Sequence, residues 1–215
     1  NKWSVERKHG PHFSFAGRYV YEDRWGGKIN WKKENRGGNE VYGESIYTSR
    51  WELFGSYDLP VPEKIVFQFS ANSHHQNSVY GDEPYLADQR IGFGQLIWFK
   101  GMGKHDLTTG LTYRYTYYDD NTPATANLIG QNAVSHTHLP GLFLQDEIAF
   151  NQQNKLLLGA RYDFNSIHGS IFTPRINYKW NSANNKNILR ISVGNGYRIA
   201  NVFTEDHAAL TGARE

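Results

Sequence analysis

The sequence predicts an all-β protein: an antiparallel transmembrane β-barrel, present here as about nine or ten strands with short periplasmic turns and long extracellular loops. Three observations carry that prediction. Apolar residues recur at every second position over many short runs, as in Leu156, Leu158, Ala160, Tyr162 and Phe164 against Gly159, Arg161, Asp163 and Asn165, the period of a strand with two unlike faces. Aromatic residues collect near the ends of these runs, at Tyr162, Phe164, Tyr178, Trp180 and Tyr197. Such rings favour a membrane–water interface, where the body sits in lipid and the polar tip among headgroups. Short and long connections alternate along the chain, as they do in outer-membrane barrels.

Taken in order, Trp3–Arg7 reads as the tail of a strand that turns at Lys8-His9-Gly10-Pro11. Phe13, Phe15, Tyr19 and Tyr21 then alternate with Ser14, Arg18 and Glu22. Residues 23–44, rich in Gly, Asn and charge, read as a long loop. Tyr47–Leu59 forms the next strand, and Pro60-Val61-Pro62 ends it because neither proline can donate to a ladder. The chain resumes at Ile65, Phe67, Phe69 and Ala71, and residues 73–88 read as a second long loop.

The strand from Gln89 to Phe99 changes phase, since Ile91 and Phe93 oppose Leu96 and Trp98, and a bulge is expected there. After a turn at Gly101–His105, Leu107, Leu111, Tyr113, Tyr115 and Tyr117 alternate with Thr108, Thr112, Arg114 and Thr116. Residues 119–140 read as the third long loop. Leu142, Leu144, Ile148 and Phe150 come next, with Asp146 an exception on the apolar side, and Asn151–Asn154 turns the chain into the run at Leu156. Phe172–Trp180 and Leu189–Val193 complete the set, joined by Asn181–Asn187. Leu111, Tyr113, Leu156, Leu158, Ile176 and Ile191 are expected to face lipid. Arg114, Arg161, Arg175 and Arg190 are expected to face the lumen, where charges are tolerated if paired or hydrated.

Composition narrows the function. The net charge is +2, from 23 basic and 21 acidic residues, which gives no field for nucleic acid. Cysteine is absent, so disulfides, thiolate chemistry and cysteine-based zinc sites do not arise. No G-x-S-x-G, H-E-x-x-H or phosphate loop appears, so no catalytic residue is predicted and the chain is not expected to be an enzyme. No cofactor is expected. A soluble β-sandwich that binds carbohydrate is the alternative, given 15% aromatic residues; it requires a packed inner face, whereas these strands keep an apolar band bordered by aromatics.

Gly159-Ala160-Arg161-Tyr162-Asp163, then Phe172-Thr173-Pro174-Arg175 after one short loop, then Gly196-Tyr197-Arg198 with Phe203 and Glu205, resemble the TonB-dependent outer-membrane receptors of Gram-negative bacteria. Leu142–Glu147 resembles the preceding strand of the same barrel. The resemblance implies barrels of roughly 22 strands around an N-terminal plug. It also implies import of scarce nutrients with energy relayed by a TonB-type inner-membrane complex. Residues 1–215 show no plug, no coupling motif and no aromatic-ended closing strand, so they are expected to be part of the barrel of a larger receptor. Open sheet edges cost several kcal/mol per unpaired group in hydrocarbon, so the end strands should pair with further sequence.

The resemblance implies a ligand such as a siderophore–metal complex or a corrinoid, with first contact in the outer connections; a glycan or peptide, for which the Tyr and Trp residues would matter more, is the competing ligand. His74, His75, His136 and His138 are the candidates, because imidazole suits a transition metal or its chelate near neutral pH. His136 and His138 should share one face of an extended segment, with His74-His75 supplying a third nitrogen. Tyr80, Arg198 and His207 are the expected neighbours. No spacing among them forms a recognised metal motif, so a metal site is not specified and solvated loop histidines are the competing reading.

Overall fold

The computed structural model describes residues 2–5, 12–184 and 186–199. Its strands form one antiparallel sheet in chain order: β1 (Lys2–Val5), β2 (Phe13–Gly27), β3 (Gly43–Asp58), β4 (Lys64–Tyr80), β5 (Glu83–Met102), β6 (His105–Asp120), β7 (Ser135–Ala149), β8 (Asn154–Asn165), β9 (Gly169–Asn181) and β10 (Ile188–Gly194). Each strand pairs only with its sequence neighbours, and β1 and β10 have one partner each among the described residues. No second sheet covers either face, so the two-sheet core that a sandwich requires is missing from the described residues.

Antiparallel register places directly opposed residues on one face, which lets the two expected sets be traced across the sheet. Leu111 opposes Leu142, Leu142 opposes Tyr162, and Tyr162 opposes Phe172. Leu158 opposes Ile176, and Leu156 opposes Tyr178, which opposes Ile191. Phe143 opposes Arg161, Gly159 opposes Arg175, and Lys179 opposes Arg190, all on the other face with Arg114. The lipid-facing and lumen-facing sets are therefore separated as the alternation predicted.

The outward residues Leu156, Leu158, Ala160, Tyr162 and Phe164 of β8 are all apolar or aromatic. At about 3.4 Å per residue and a tilt of about 40°, a run of this length spans about 21 Å, most of the roughly 25 Å height of a barrel's lipid band. On β6, Thr109 interrupts the outward face, and its hydroxyl donates to the Phe143 carbonyl at 2.8 Å, so no hydroxyl is left bare. Asp146, the acidic exception on β7, faces the same way and takes His105 Nδ1 at 2.6 Å beside the short-turn rim.

Three loop assignments need correction. Residues 73–88 are strand: β4 runs to Tyr80, β5 begins at Glu83, and Gly81-Asp82 alone makes the turn, with Gly81 at φ +66°. The first loop is confined to residues 28–42 and the third to residues 121–134. One physical reason covers all three. Above the membrane both faces of a strand meet water, so the apolar alternation stops while the ladder continues. The expected bulge in β5 is also absent, because its register to β4 and β6 is unbroken. Ile91 and Phe93 lie on the lumen face and Leu96 and Trp98 on the lipid face, so the phase change records a change of apolar side.

The connections keep the expected sides. Residues 59–63, 103–104, 150–153, 182–184 and 186–187 lie at one rim, and residues 28–42, 81–82, 121–134 and 166–168 at the other. The 28–42 loop folds back on the outward face, where Trp31 is 5% exposed and stacks on Trp25 at 5.3 Å. Arg36 donates to Ser45 Oγ and to Asn77 Oδ1 and lies over the Tyr47 ring. At the opposite rim, hydrogen bonds from Lys100 and Trp98 hold the Glu63 carboxyl below its ordinary range.

Candidate functional site: the lumen wall

On the lumen face, carboxylates sit low and guanidinium groups stand over them. Glu52 Oε2 accepts from Arg18 Nη2 at 2.6 Å, and Glu52 Oε1 pairs with Arg50. The Glu52 side chain is 15% exposed while those of Arg18 and Arg50 are 60% and 43% exposed. One sunken carboxylate is thus shared by two more exposed cations. Arg24 pairs with Glu22 at 3.1 Å on the same face. Arg18, Arg50, Arg24 and Glu22 line a recess of about 400 Å³ that also holds Thr48, His74, Gln76 and Tyr80. Three arginines and Glu22 line the recess, and with the adjoining Glu52 counted against Arg18 and Arg50 an excess of positive charge remains.

A second group lies farther along the wall. Arg161 Nε and Nη2 donate to the two oxygens of Asp163 at 2.6 and 2.7 Å, a bidentate pair, and Nη2 also reaches Thr112 Oγ1 at 3.1 Å. Tyr197 Oη donates to Asp163 Oδ2 at 3.1 Å, and the Asp163 side chain is fully buried. Gly141 makes this possible: a Cβ there would stand 2.0 Å from Asp163 Oδ1 and 2.7 Å from Thr112 Oγ1. Arg161, Asp163 and Tyr197, drawn from motifs distant in sequence, form one constellation. Its role is to brace β6, β7, β8 and the segment after β10.

Of the predicted site residues, His74 and Tyr80 come together in the arginine recess. His75, one residue on, points to the other face, where its Nδ1 meets Asp88 Oδ2 at 3.3 Å. His136 and His138 do share a face, but it is the outward one: His138 opposes Tyr115 and His136 opposes Tyr117. The third nitrogen expected from His74-His75 is therefore not assembled with them. Among the described residues, no group of three or more His, Asp or Glu side chains could hold a metal ion. Arg198 follows β10 near the end of the described chain, and His207, Phe203 and Glu205 lie outside the described residues.

Sequence reasoning missed a polar knot at the top of the lumen wall. Tyr85 and Tyr118 hydroxyls lie 3.1 Å apart, Tyr118 donates to Asp120 Oδ2 at 2.6 Å, and Thr122 and Thr125 donate to Asp120 Oδ1. The available signal was Asp120 followed at two residues by a threonine, a local pattern that ties a turn. Outside the knot, the 121–134 loop covers a recess of about 830 Å³ bordered by Asp88, Asp119 and Asn132.

Comparison with known proteins agrees with this architecture. The family described as "TonB dependent receptor-like, beta-barrel" matches residues 2–211. Two relatives, each an "Iron-regulated outer membrane virulence protein" of Vibrio cholerae serotype O1, one from the Classical Ogawa strain and one from the El Tor Inaba strain, are 31% identical over 80 residues. The matched stretch covers 37% of this chain and 12% of either relative. No solved structure matches. The chain belongs to the TonB-dependent receptor family through its β-barrel, a family of receptors and not of enzymes, and its place is the outer membrane of a Gram-negative bacterium.

Proposed function

We propose that this chain is wall of an outer-membrane transport receptor that takes up an anionic metal chelate, such as a siderophore–metal complex, through its lumen. A plug domain, outside residues 1–215, couples it to a TonB-type energy-transducing complex. The observation that carries the reading is the recess in which Arg18 and Arg50 share the sunken Glu52, with Arg24, His74 and Tyr80 around them. Two guanidinium groups over one carboxylate leave donors directed at the lumen, and planar donors suit carboxylate or catecholate oxygens. The iron in the name of the Vibrio cholerae relative supports a metal-bearing cargo. His74 and Tyr80 are the candidates that serve this recess, and His75 and Arg198 are candidates for first contact nearer the outer rim.

The test uses the full receptor and two probes, a ferric tris-catecholate and cobalamin. Arg18→Gln with Arg50→Gln should weaken the anionic iron chelate about tenfold or more, since each hydrogen bond to a charged group is worth about 1.5–3 kcal/mol. Cobalamin binding should stay unchanged. Equal loss for both probes, or loss for neither, would defeat the assignment of an anionic chelate.

A further inference from the structure

His136 and His138 face away from the lumen, at the upper edge of the apolar band. Tyr113 Oη lies 2.7 Å from His138 Nδ1, and Tyr115 Oη lies 2.8 Å from His136 Nδ1. With each phenol donating, the Nε2–H of each imidazole is left as a donor. Both imidazoles are exposed, and they stand about 7 Å apart as residues i and i+2 of one strand. On β5 the exposed Arg90 opposes Tyr117, and its guanidinium lies over that ring at 5.1 Å. Among the described residues Arg90 has no carboxylate partner. A cation on β5 and two N–H donors on β7 thus flank the tyrosines of β6, on a face whose lower part is apolar.

An uncompensated cation at that level is unfavourable beside hydrocarbon unless an anion meets it. Two carboxylates stand one step nearer the strand tips, and both are engaged. Asp88 is met by His75, and Asp119 accepts from Asn132 Nδ2 at 2.8 Å. The anion is therefore met below them, at the level of the tyrosine rings. We infer that Arg90, His136 and His138, framed by Tyr113, Tyr115 and Tyr117, form a binding site for the phosphate headgroup of an outer-leaflet lipid. The acyl chains of that lipid lie against Leu96, Leu111 and Leu142 below. The inference rests on the membrane-spanning reading of this face, and not on the identity of the transported ligand.

The experiment takes the full receptor in neutral detergent and measures retained lipid by native mass spectrometry after addition of bis-phosphorylated lipid A. Arg90→Gln, and separately His136→Phe with His138→Phe, should each lower retention about tenfold. Phenylalanine keeps the ring packing against the tyrosines while removing the donors. Arg190→Gln, on the lumen face, should change nothing. Equal retention by all variants would overturn the site. So would equal retention of the dephosphorylated lipid, which would make the face merely apolar, or displacement of the lipid by millimolar inorganic phosphate, which would make the ligand a free anion. Retention lost through dissociation of a receptor dimer would assign the face to a second copy. Heat-dependent electrophoretic migration reports folding of each variant, and extraction without detergent would instead sink the membrane-spanning reading.

Discussion

Gly141→Ala should destabilise the barrel through Asp163, and the size of the effect comes from the geometry. The added Cβ would lie 2.0 Å from Asp163 Oδ1, so the carboxylate must leave its place. Doing so breaks the bidentate pair with Arg161 and the hydrogen bond from Tyr197. Breaking a buried pair by displacing one partner costs about 3–5 kcal/mol; because the Arg161 side chain is 37% exposed and can be hydrated, the low end, about 3 kcal/mol, is expected. Asp163→Ala alone should cost a similar amount. If Gly141 is small to admit Asp163, the double variant should cost little more than Asp163→Ala, since the remaining close neighbour, Thr112 Oγ1 at 2.7 Å, can turn away. The expected coupling is about 2 kcal/mol, read from urea unfolding of the receptor in lipid vesicles as a double-mutant cycle. Additivity of the two single effects to within about 0.5 kcal/mol would refute the argument.

Ile176→Arg, on the lipid face, should destabilise the folded barrel by about 2–4 kcal/mol, whereas Thr173→Arg on the lumen face should cost far less; urea midpoints compare the two. His74→Ala should weaken a ferric tris-catecholate, and His136→Phe with His138→Phe should leave it unchanged, as equilibrium binding to the full receptor would show. Trp31→Ala should free the 28–42 loop from Trp25 and raise its rate of proteolysis, with cleavage mapped between Lys28 and Tyr42. Glu63 has a lowered pKa in the folded state, so its contribution is present above the ordinary carboxylate pKa and lost as pH falls through the lowered value. Glu63→Gln should therefore flatten the acid side of the stability profile, measured as urea midpoints between pH 7 and pH 3.

The membrane-embedded part of the fold was legible because lipid imposes a chemical rule on every second residue. Leu156, Leu158, Ile176 and Ile191 obey it, and their common face could be read from parity alone. Outside the lipid that rule lapses. Ser73–Ser78 is polar on both sides, and Glu83–Asp88 carries apolar residues on both, Pro84 and Leu86 on one face and Tyr85 and Ala87 on the other. Neither stretch has a single apolar face, so only the continuing ladder reveals them as strand. The histidines were misplaced for the same reason: parity assigns His74 inward and His75 outward once both are known to be strand, but not while they are read as loop. Arg161 and Asp163 were correctly placed on the lumen face. Their joining to Tyr197 was not readable, because it depends on a chain segment folding back beyond β10 and on the missing side chain of Gly141.

The neighbour-only wiring of the sheet bears on how such a wall is made. Among the described strands each finds its partner one connection away, so none of these pairings requires distant parts of the chain to search for one another. A growing margin is the natural intermediate: each new hairpin aligns on the strand just laid, and only the newest rim is unsatisfied. Errors under this arrangement are inherited forward. A slip while β5 zips against β4 would present β6 with its greasy side inward, and a later strand cannot repair what an earlier one has offset. The absence of any bulge between β2 and β9 means that alignment is copied from strand to strand without a corrective offset. The turn at Gly81-Asp82, the tightest at the outer rim, therefore acts as a gauge stop that sets the alignment of β5 and of every strand laid after it.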